Sequence, residues 1–299
     1  MRRKVIKQGA STFTLSLPAQ WARRLNIKAG DELELQEQGP CLLISSSRSS
    51  GPRRESIDLS GIAKLSRRLI AAKYVKGCEE FDVKVESRDQ ARAVQSRARS
   101  LQGIEVVNQT KDAILLKDVA GPQQVDVEQL LRRMFHMLST MGQEAIEALK
   151  DQQSDLEYIE EMEEGLNRLW DLSGRAINRQ GLDSYAKTTS IYTVCFLLEA
   201  TADELKDALH FIRQHTVRLS KDAIGLLEAV FQFLKQLEEA VFSYSIKKAD
   251  AMAKEYDLVS LSLQGRLAQK SPEEVVVLMH IRNMLEYLVW GMNQVLITS

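Results

Sequence analysis

Proline and glycine are scarce in this sequence, with five and fifteen copies in 299 residues. Because both residues interrupt regular structure, their scarcity favours long helices. No apolar run approaches the roughly 20 residues that a membrane-spanning helix needs. The basic start, MRRKVIKQG, is followed by no apolar segment, which argues against a secretory signal. We therefore expect a cytoplasmic protein without membrane insertion.

Cysteine is sparse as well. Cys41, Cys78 and Cys195 lie far apart without CxxC spacing, so we expect buried or incidental thiols in a reducing compartment. The four histidines form no HExxH or paired ligand set, and no P-loop, GxSxG or GxGxxG motif occurs in a strand–turn–helix context. These absences predict a protein that is not an enzyme.

The net charge of -1 hides an asymmetry along the chain. Residues 1–56 carry ten Lys and Arg against five acids, and residues 57–125 carry twelve against nine. The remaining residues carry 18 basic and 27 acidic side chains. A basic N-terminal part suits phosphate backbones, whereas an acidic C-terminal part suits cations, so the two parts are expected to meet different partners.

The first 45 residues read as short strands separated by turn residues. Between Pro18 and Asn26 there is room for about two helical turns, with proline well placed at the helix start. Residues 46–56 have the Ser, Gly and Pro content of a linker. The expected strands are KVIK, TFTLSL, ELEL and CLLIS.

The rest of the chain divides into two further parts. Residues 57–122 mix two helical patterns, the second capped by Ser87, with three alternating strands, and predict a small α+β domain. From residue 123 to 299 apolar residues recur at three- and four-residue steps, which predicts about six helices in two three-helix repeats, near 126–215 and 216–299. The expected fold class is multidomain: a small β-rich domain, an α+β segment and an all-α part.

One copy of residues 1–45 is too small to bury much apolar surface. Interleaving with a second copy would solve this problem and would pair the basic residues about a two-fold axis, which suits a two-fold site on duplex DNA. The alternative is a dimerisation module whose basic residues are only solvated.

The same segment resembles the swapped-hairpin (SpoVT/AbrB) DNA-binding family. The pattern of that family appears as a turn at Gly9, then Ser16-Leu17-Pro18, Leu25-Asn26-Ile27 and Lys28-Ala29-Gly30-Asp31. Asn26 stands where glycine is usual, but asparagine tolerates the left-handed conformation of a helix end. The resemblance implies DNA contacts from the strand and short helix, at Arg2, Arg3, Lys4, Lys7, Arg23 and Arg24.

Glu199, Asp203 and Asp207 form an acidic row at i, i+4 and i+8 on one predicted helix. At helical spacing they lie roughly opposite the apolar stripe, and Glu161 and Glu164 do likewise on an earlier helix. A solvated surface row is the ordinary interpretation of such a pattern. A bound hard cation is the sharper one.

Residues 126–299 resemble the PhoU family of phosphate-uptake regulators, which are tandem three-helix bundles. Leu198-Glu199-xxx-Asp203 fits its L-E-x-x-x-D motif, whereas the second repeat has Trp290 at the aspartate position and Asn167 replaces a more usual acid. The resemblance implies a metal ion, divalent or transition, whose identity the sequence does not determine. Its implied ligands are Glu161, Glu164, Glu199, Asp203 and Asp207.

The order of the parts resembles archaeal-type phosphate uptake regulators. It implies a homodimeric transcriptional regulator of phosphate uptake that binds DNA and senses a metal, or a partner such as a phosphate transporter ATPase or sensor protein. The alternative is a PhoU-like signalling scaffold that acts on the transporter or sensor, with an N-terminal module that only dimerises. An antitoxin is a third reading, against which the long helical part argues.

Overall fold

The computed structural model describes residues 2–38, 41–45, 53–62, 64–121, 125–151, 156–267 and 270–298. The chain divides into two compact units, Met1–Arg53 and Arg54–Ser299. The predicted linker, 46–56, lies mostly outside the described residues, but its last three residues belong to a strand of the second unit.

The first unit contains two hairpins. One pair of antiparallel strands precedes a short helix and a second pair follows it, so the unit has two separate two-stranded sheets. The elements are β1 (Val5–Gln8), β2 (Thr12–Leu15), α1 (Ala19–Arg24), β3 (Glu34–Gln38) and β4 (Cys41–Ser45). Three strands and the helix fall where they were predicted, whereas β3 begins at Glu34, two residues later than the predicted ELEL.

The end of α1 confirms the expectation for Asn26. Its φ of 51° is left-handed, and the amide of Ile27 donates back to the carbonyl of Ala22 at 2.9 Å. Asparagine supports this conformation better than most residues other than glycine, which explains why it can replace glycine here.

No described residue of the first unit is buried within the single chain. The register of the first hairpin pairs Val5 with Leu15 and Lys7 with Phe13, so these four side chains share one face. Of the three apolar side chains, Val5 is 63% exposed, Leu15 is 49% exposed and Phe13 is 68% exposed. A two-stranded hairpin is marginal alone, so this face requires a further partner to become stable.

The second unit begins with a four-stranded sheet of order β5-β6-β8-β7. β5 runs parallel to β6, and the other neighbours are antiparallel. Alternation in β6 and β8 places Phe81, Val83, Ile114 and Leu116 in the core. The elements are β5 (Arg54–Asp58), α2 (Ser66–Val75), β6 (Glu80–Lys84), α3 (Arg88–Ser100), β7 (Ile104–Gln109) and β8 (Ala113–Asp118).

In this part the start of the first helix differs from the expectation, whereas the cap of the second helix is confirmed. The apolar spacing of SGIAKLSRRLIAAKYVKG, residues 60–77, predicts a helix from Ser60. Helix α2 begins instead at Ser66, because a turn at Ser60-Gly61 intervenes, with the Ser60 amide donating to Asp58 at 2.8 Å. Ser87 does cap α3, since its hydroxyl oxygen accepts from the Gln90 amide at 3.1 Å.

Six helices follow in the described part of 125–298, as predicted. They share one continuous apolar core. The sequence predicts a break between helices at 152–155, which lies outside the described residues. It predicts another at 245–250, but the structure has this break earlier, directly after Phe242. The helices are α4 (Val127–Asp151), α5 (Leu156–Gln180), α6 (Tyr185–His215), α7 (Lys221–Phe242), α8 (Ile246–Leu267) and α9 (Pro272–Thr298).

Helix α5 joins the helical part to the α+β segment. The Arg175 guanidinium donates to the carbonyls of Tyr74 at 2.8 Å and Cys78 at 2.6 Å and lies 4.5 Å from the Tyr74 ring centroid. Arg179 pairs with Glu79 at 2.6 Å. These contacts make the α+β segment and the bundle one compact unit. None of the helices in the described ranges has the length and apolar character to cross a membrane.

Candidate functional site

The basic residues predicted to contact DNA are all exposed in the first unit. Lys7 lies on the apolar face of the first hairpin, opposite Phe13. Arg23 and Arg24 lie in the last turn of α1, where the carbonyl end of a helix favours positive charge. Within the described residues none of the predicted positions pairs with a carboxylate, so their charge is available to a phosphate backbone. These positions are Arg2, Arg3, Lys4, Lys7, Arg23 and Arg24.

The residues predicted to bind a metal do not form one group. Glu161 and Asp207 are exposed, and Glu164 is exposed beside Arg168, 3.5 Å away. Glu199 and Asp203 are partly buried, contrary to the prediction that both lie opposite the apolar stripe. The prediction treated α6 alone, whereas α5 and α2 also approach this side of the helix.

The structure adds two residues that the sequence patterns did not single out. Glu163 on α5 is buried, 4% exposed, and accepts from the Asn167 amide at 2.5 Å. The Lys206 ammonium lies 3.3 Å from a Glu163 oxygen and 2.5 Å from an Asp203 oxygen, so it bridges the two carboxylates. One signal was available, since Glu163 occupies an apolar position of α5, four residues after Ile159.

Burial controls the ionisation of this cluster. Burial raises the pKa of Glu199 to about 7, and the nearby charges of Asp203 and Glu163 add to the effect. The pKa of Glu163 is raised, mainly by burial. The pKa of Asp203 is lowered, because hydrogen bonds from Glu163 and Lys206 outweigh its burial. The two carboxylates that Lys206 bridges therefore shift in opposite directions, Glu163 toward the neutral form and Asp203 toward the charged form.

The position of Lys206 decides whether these carboxylates can bind a metal ion. Lys206 occupies the position between Glu163 and Asp203 where a cation would bind. Across the described ranges no group of three or more His, Cys, Asp or Glu side chains is arranged to hold a metal. The side chains as they stand do not fit a metal ion unless Lys206 moves, and the metal stays a prediction.

Comparison with known proteins adds to the N-terminal assignment. Residues 6–50 match the model of the family described as antidote-toxin recognition MazE, bacterial antitoxin. The match falls on the segment whose residues resemble the swapped-hairpin family. It covers the small β unit of the chain and leaves the α+β segment and the helices unmatched.

The helical part has a similar solved structure. It is the crystal structure of the phosphate transport system regulatory protein PhoU from Streptococcus pneumoniae. That protein is 15% identical, and the alignment covers 57% of this chain and 91% of that one with a TM-score of 0.46. No curated protein matches the sequence.

Proposed function

We propose that this protein is a homodimeric DNA-binding regulator of transcription that controls phosphate uptake. The observation that carries the proposal is the first unit, whose first hairpin has an exposed apolar face and whose six exposed basic residues pair with no carboxylate among the described residues. A face of this kind supports association with a second copy, because burial of a large apolar side chain contributes about 1.5–3 kcal/mol. The family match over residues 6–50 is consistent with this role.

Dimerisation would let the basic residues of two copies bind DNA together. Two copies bring twelve exposed cationic side chains into one assembly, related by a two-fold axis. Lys and Arg that neutralise DNA phosphates release bound counterions, which supplies most of the affinity at low salt. The residues involved are Arg2, Arg3, Lys4, Lys7, Arg23 and Arg24 in each copy.

The helical part is proposed to sense phosphate status through a protein partner, such as a transporter ATPase, or through a metal ion whose binding would require Lys206 to move. Support comes from the motif Leu198-Glu199-xxx-Asp203, whose carboxylates lie beside the α+β segment in the same compact unit. By linkage, any effector that alters DNA affinity must itself bind more or less tightly when DNA is present.

The test is fluorescence anisotropy of the full-length protein with the DNA upstream of its own gene, titrated with salt. We expect specific binding. The logarithm of the binding constant should fall with the logarithm of the salt concentration at a slope of roughly -5 to -8, as six to nine phosphate contacts would give. Arg23→Ala/Arg24→Ala should weaken binding. The matched control is Arg88→Ala/Arg92→Ala, which removes two exposed arginines from α3 and should leave binding unchanged.

A signalling scaffold is the second candidate, because the exposed apolar face alone already favours dimerisation. In a scaffold the N-terminal unit only joins two copies. Dimer formation would then persist while binding to the upstream DNA stayed undetectable at low salt. This result would reject the DNA-binding proposal and direct the search to a protein partner, whereas wild-type binding by Arg23→Ala/Arg24→Ala would reject the assigned contact residues.

A further inference from the structure

A two-part cleft lies where α2 and α3 of the α+β segment face α5 and α6 of the bundle. Two cavities of about 470 and 520 Å³ adjoin there, and both are lined by Arg67, Arg97, Asn167 and Asp203. Each has the size of a small-molecule site, which is about 300–1,000 Å³. This cleft belongs to the second unit, whereas the residues predicted to contact DNA belong to the first, so the two sets share no residue.

The first cavity has an aromatic and apolar wall. Trp170 and Tyr192 line it in an edge-to-face pair, with ring centroids 5.1 Å apart and ring planes at 72°. The rest of its apolar lining comes from Ala71, Ala72 and Val75 of α2, so the cavity offers aromatic and small apolar surface to a flat group. Aromatic side chains stack on nucleic-acid bases of any kind, with a gain of about 1–3 kcal/mol per base.

The second cavity is cationic and polar. Arg67 and Arg99 line it together with the hydroxyls of Ser96 and Ser100, and Arg67 donates to the Ser96 oxygen at 3.3 Å. An arginine guanidinium presents a fork of donors that matches phosphate oxygens, so two arginines and two hydroxyls form a suitable set for a phosphate group.

Carboxylates also line the cleft, but most are already neutralised. Asp171 pairs with Arg97 at 2.5 Å, and Glu164 lies 3.5 Å from Arg168. Lys206 compensates Glu163 and Asp203, as described above. Within the described ranges Arg67, Arg68 and Arg99 make no ion pair with a carboxylate, so the charge left over on the α+β side is positive.

We propose that this cleft binds a nucleotide, with the base against Trp170 and Tyr192 and the phosphates against Arg67 and Arg99. An aromatic cavity that adjoins a cationic one fits a molecule with a flat ring at one end and an anionic group at the other. Glu199, which lines the aromatic cavity, supplies an acceptor for a base amino group or a sugar hydroxyl. The site belongs to the second unit, so it does not depend on whether the first unit reads DNA.

The test is isothermal titration calorimetry of the full-length chain with ATP, AMP, adenosine and inorganic phosphate, in buffer without divalent metal. We expect ATP or AMP to bind with submillimolar affinity and both adenosine and inorganic phosphate to bind at least tenfold more weakly, because each engages one cavity only. Arg67→Gln/Arg99→Gln should weaken nucleotide binding at least tenfold.

Two controls locate the effect. Arg133→Gln/Arg282→Gln removes two exposed arginines of α4 and α9 that do not line the cleft, and should change affinity less than twofold. Arg23→Ala/Arg24→Ala should likewise leave it unchanged, which separates this site from the DNA-binding residues. Trp170→Leu tests the aromatic wall, and Tyr192→Leu tests the same wall if the first variant does not fold.

Three outcomes would overturn the proposal. The first is the absence of binding by ATP and AMP at millimolar concentration. The second is inorganic phosphate binding as tightly as the nucleotides, which would leave the aromatic wall without a role. The third is unchanged affinity in Arg67→Gln/Arg99→Gln, or a loss confined to Arg23→Ala/Arg24→Ala, which would assign the nucleotide to another surface.

Discussion

Arg175 of α5 and Asp118 at the end of β8 form an ion pair of 2.7 Å that is almost closed to water, with side chains 6% and 7% exposed. The pair connects the sheet of the α+β segment to the helical bundle. The same guanidinium also donates to the carbonyls of Tyr74 and Cys78, so one side chain of α5 holds three acceptors of the α+β segment.

Removal of this guanidinium should be costly. Arg175→Met leaves the buried Asp118 carboxylate with only Arg179, 3.9 Å away, as a cationic partner. Loss of one member of a buried pair typically destabilises a protein by about 3–5 kcal/mol. The measurement is the free energy of unfolding from urea denaturation. Arg168→Met, on the same helix, removes an exposed partner of Glu164 and should cost at most about 1 kcal/mol. Similar costs for the two variants would contradict the assigned role of Arg175.

Two helical glycines should respond in opposite directions to alanine. A Cβ on Gly142 of α4 would lie 2.1 Å from a ring carbon of Phe231, whereas at Gly225 of α7 nothing lies within 4 Å. Gly142→Ala should therefore destabilise the protein by about 1–3 kcal/mol through overpacking. Gly225→Ala should stabilise it by about 0.5–1 kcal/mol, since alanine is the better helix former. Thermal or urea unfolding measures both, and stabilisation by Gly142→Ala would show that α4 and α7 do not approach as closely as described.

The apolar face of the first hairpin should hold two copies together. Phe13→Ser removes a side chain that is 68% exposed in the single chain. If a second copy covers it, the two changed sites together cost about 3–6 kcal/mol and should raise the dimer dissociation constant at least about a hundredfold. Analytical ultracentrifugation measures this. Tyr185→Ser, which changes a 64% exposed aromatic residue on α6, is the control. A variant that stays dimeric would reject this face as the contact.

Stability should depend on pH through Glu199. Its pKa rises from 4.5 to about 7 in the folded chain, first by burial and then by the charges of Asp203, Glu163 and Asp171. Between about pH 4.5 and 7 the folded state therefore holds a proton that the unfolded state has released. The free energy of unfolding then falls as pH rises through this window, and the whole loss is present above pH 7.

Glu199→Gln removes the ionisable group and should reverse that loss. At pH 8 the variant should be more stable than the wild type by up to about 3 kcal/mol, and near pH 4.5 the two should be similar. Urea unfolding at both pH values, with a chelator present, measures the difference. Glu161→Gln changes an exposed carboxylate and should have little effect at either pH. An equal effect of Glu199→Gln at pH 4.5 and pH 8 would rule out this ionisation as the cause.

Local patterns were enough to predict most elements. Alternation of period two located every described strand except β5, which the linker composition hid, and three- and four-residue steps located six helices. Side-chain direction repeats with those periods in each structure. Ser87 and Asn26 were identified by the capping and helix-end chemistry that their side chains allow. The exposed basic residues of the first unit follow from the same kind of local reasoning.

Only the tertiary structure decided which side chains meet. Glu163 and Lys206 are 43 positions apart and meet because α5 packs against α6, and Arg97 reaches Asp171 across 74 positions. The parallel pairing of β5 with β6 likewise moved the start of the α+β segment to Arg54. Periodicity assigns a residue to a face of its own element. It does not say which other element covers that face, since that depends on packing between segments distant along the chain.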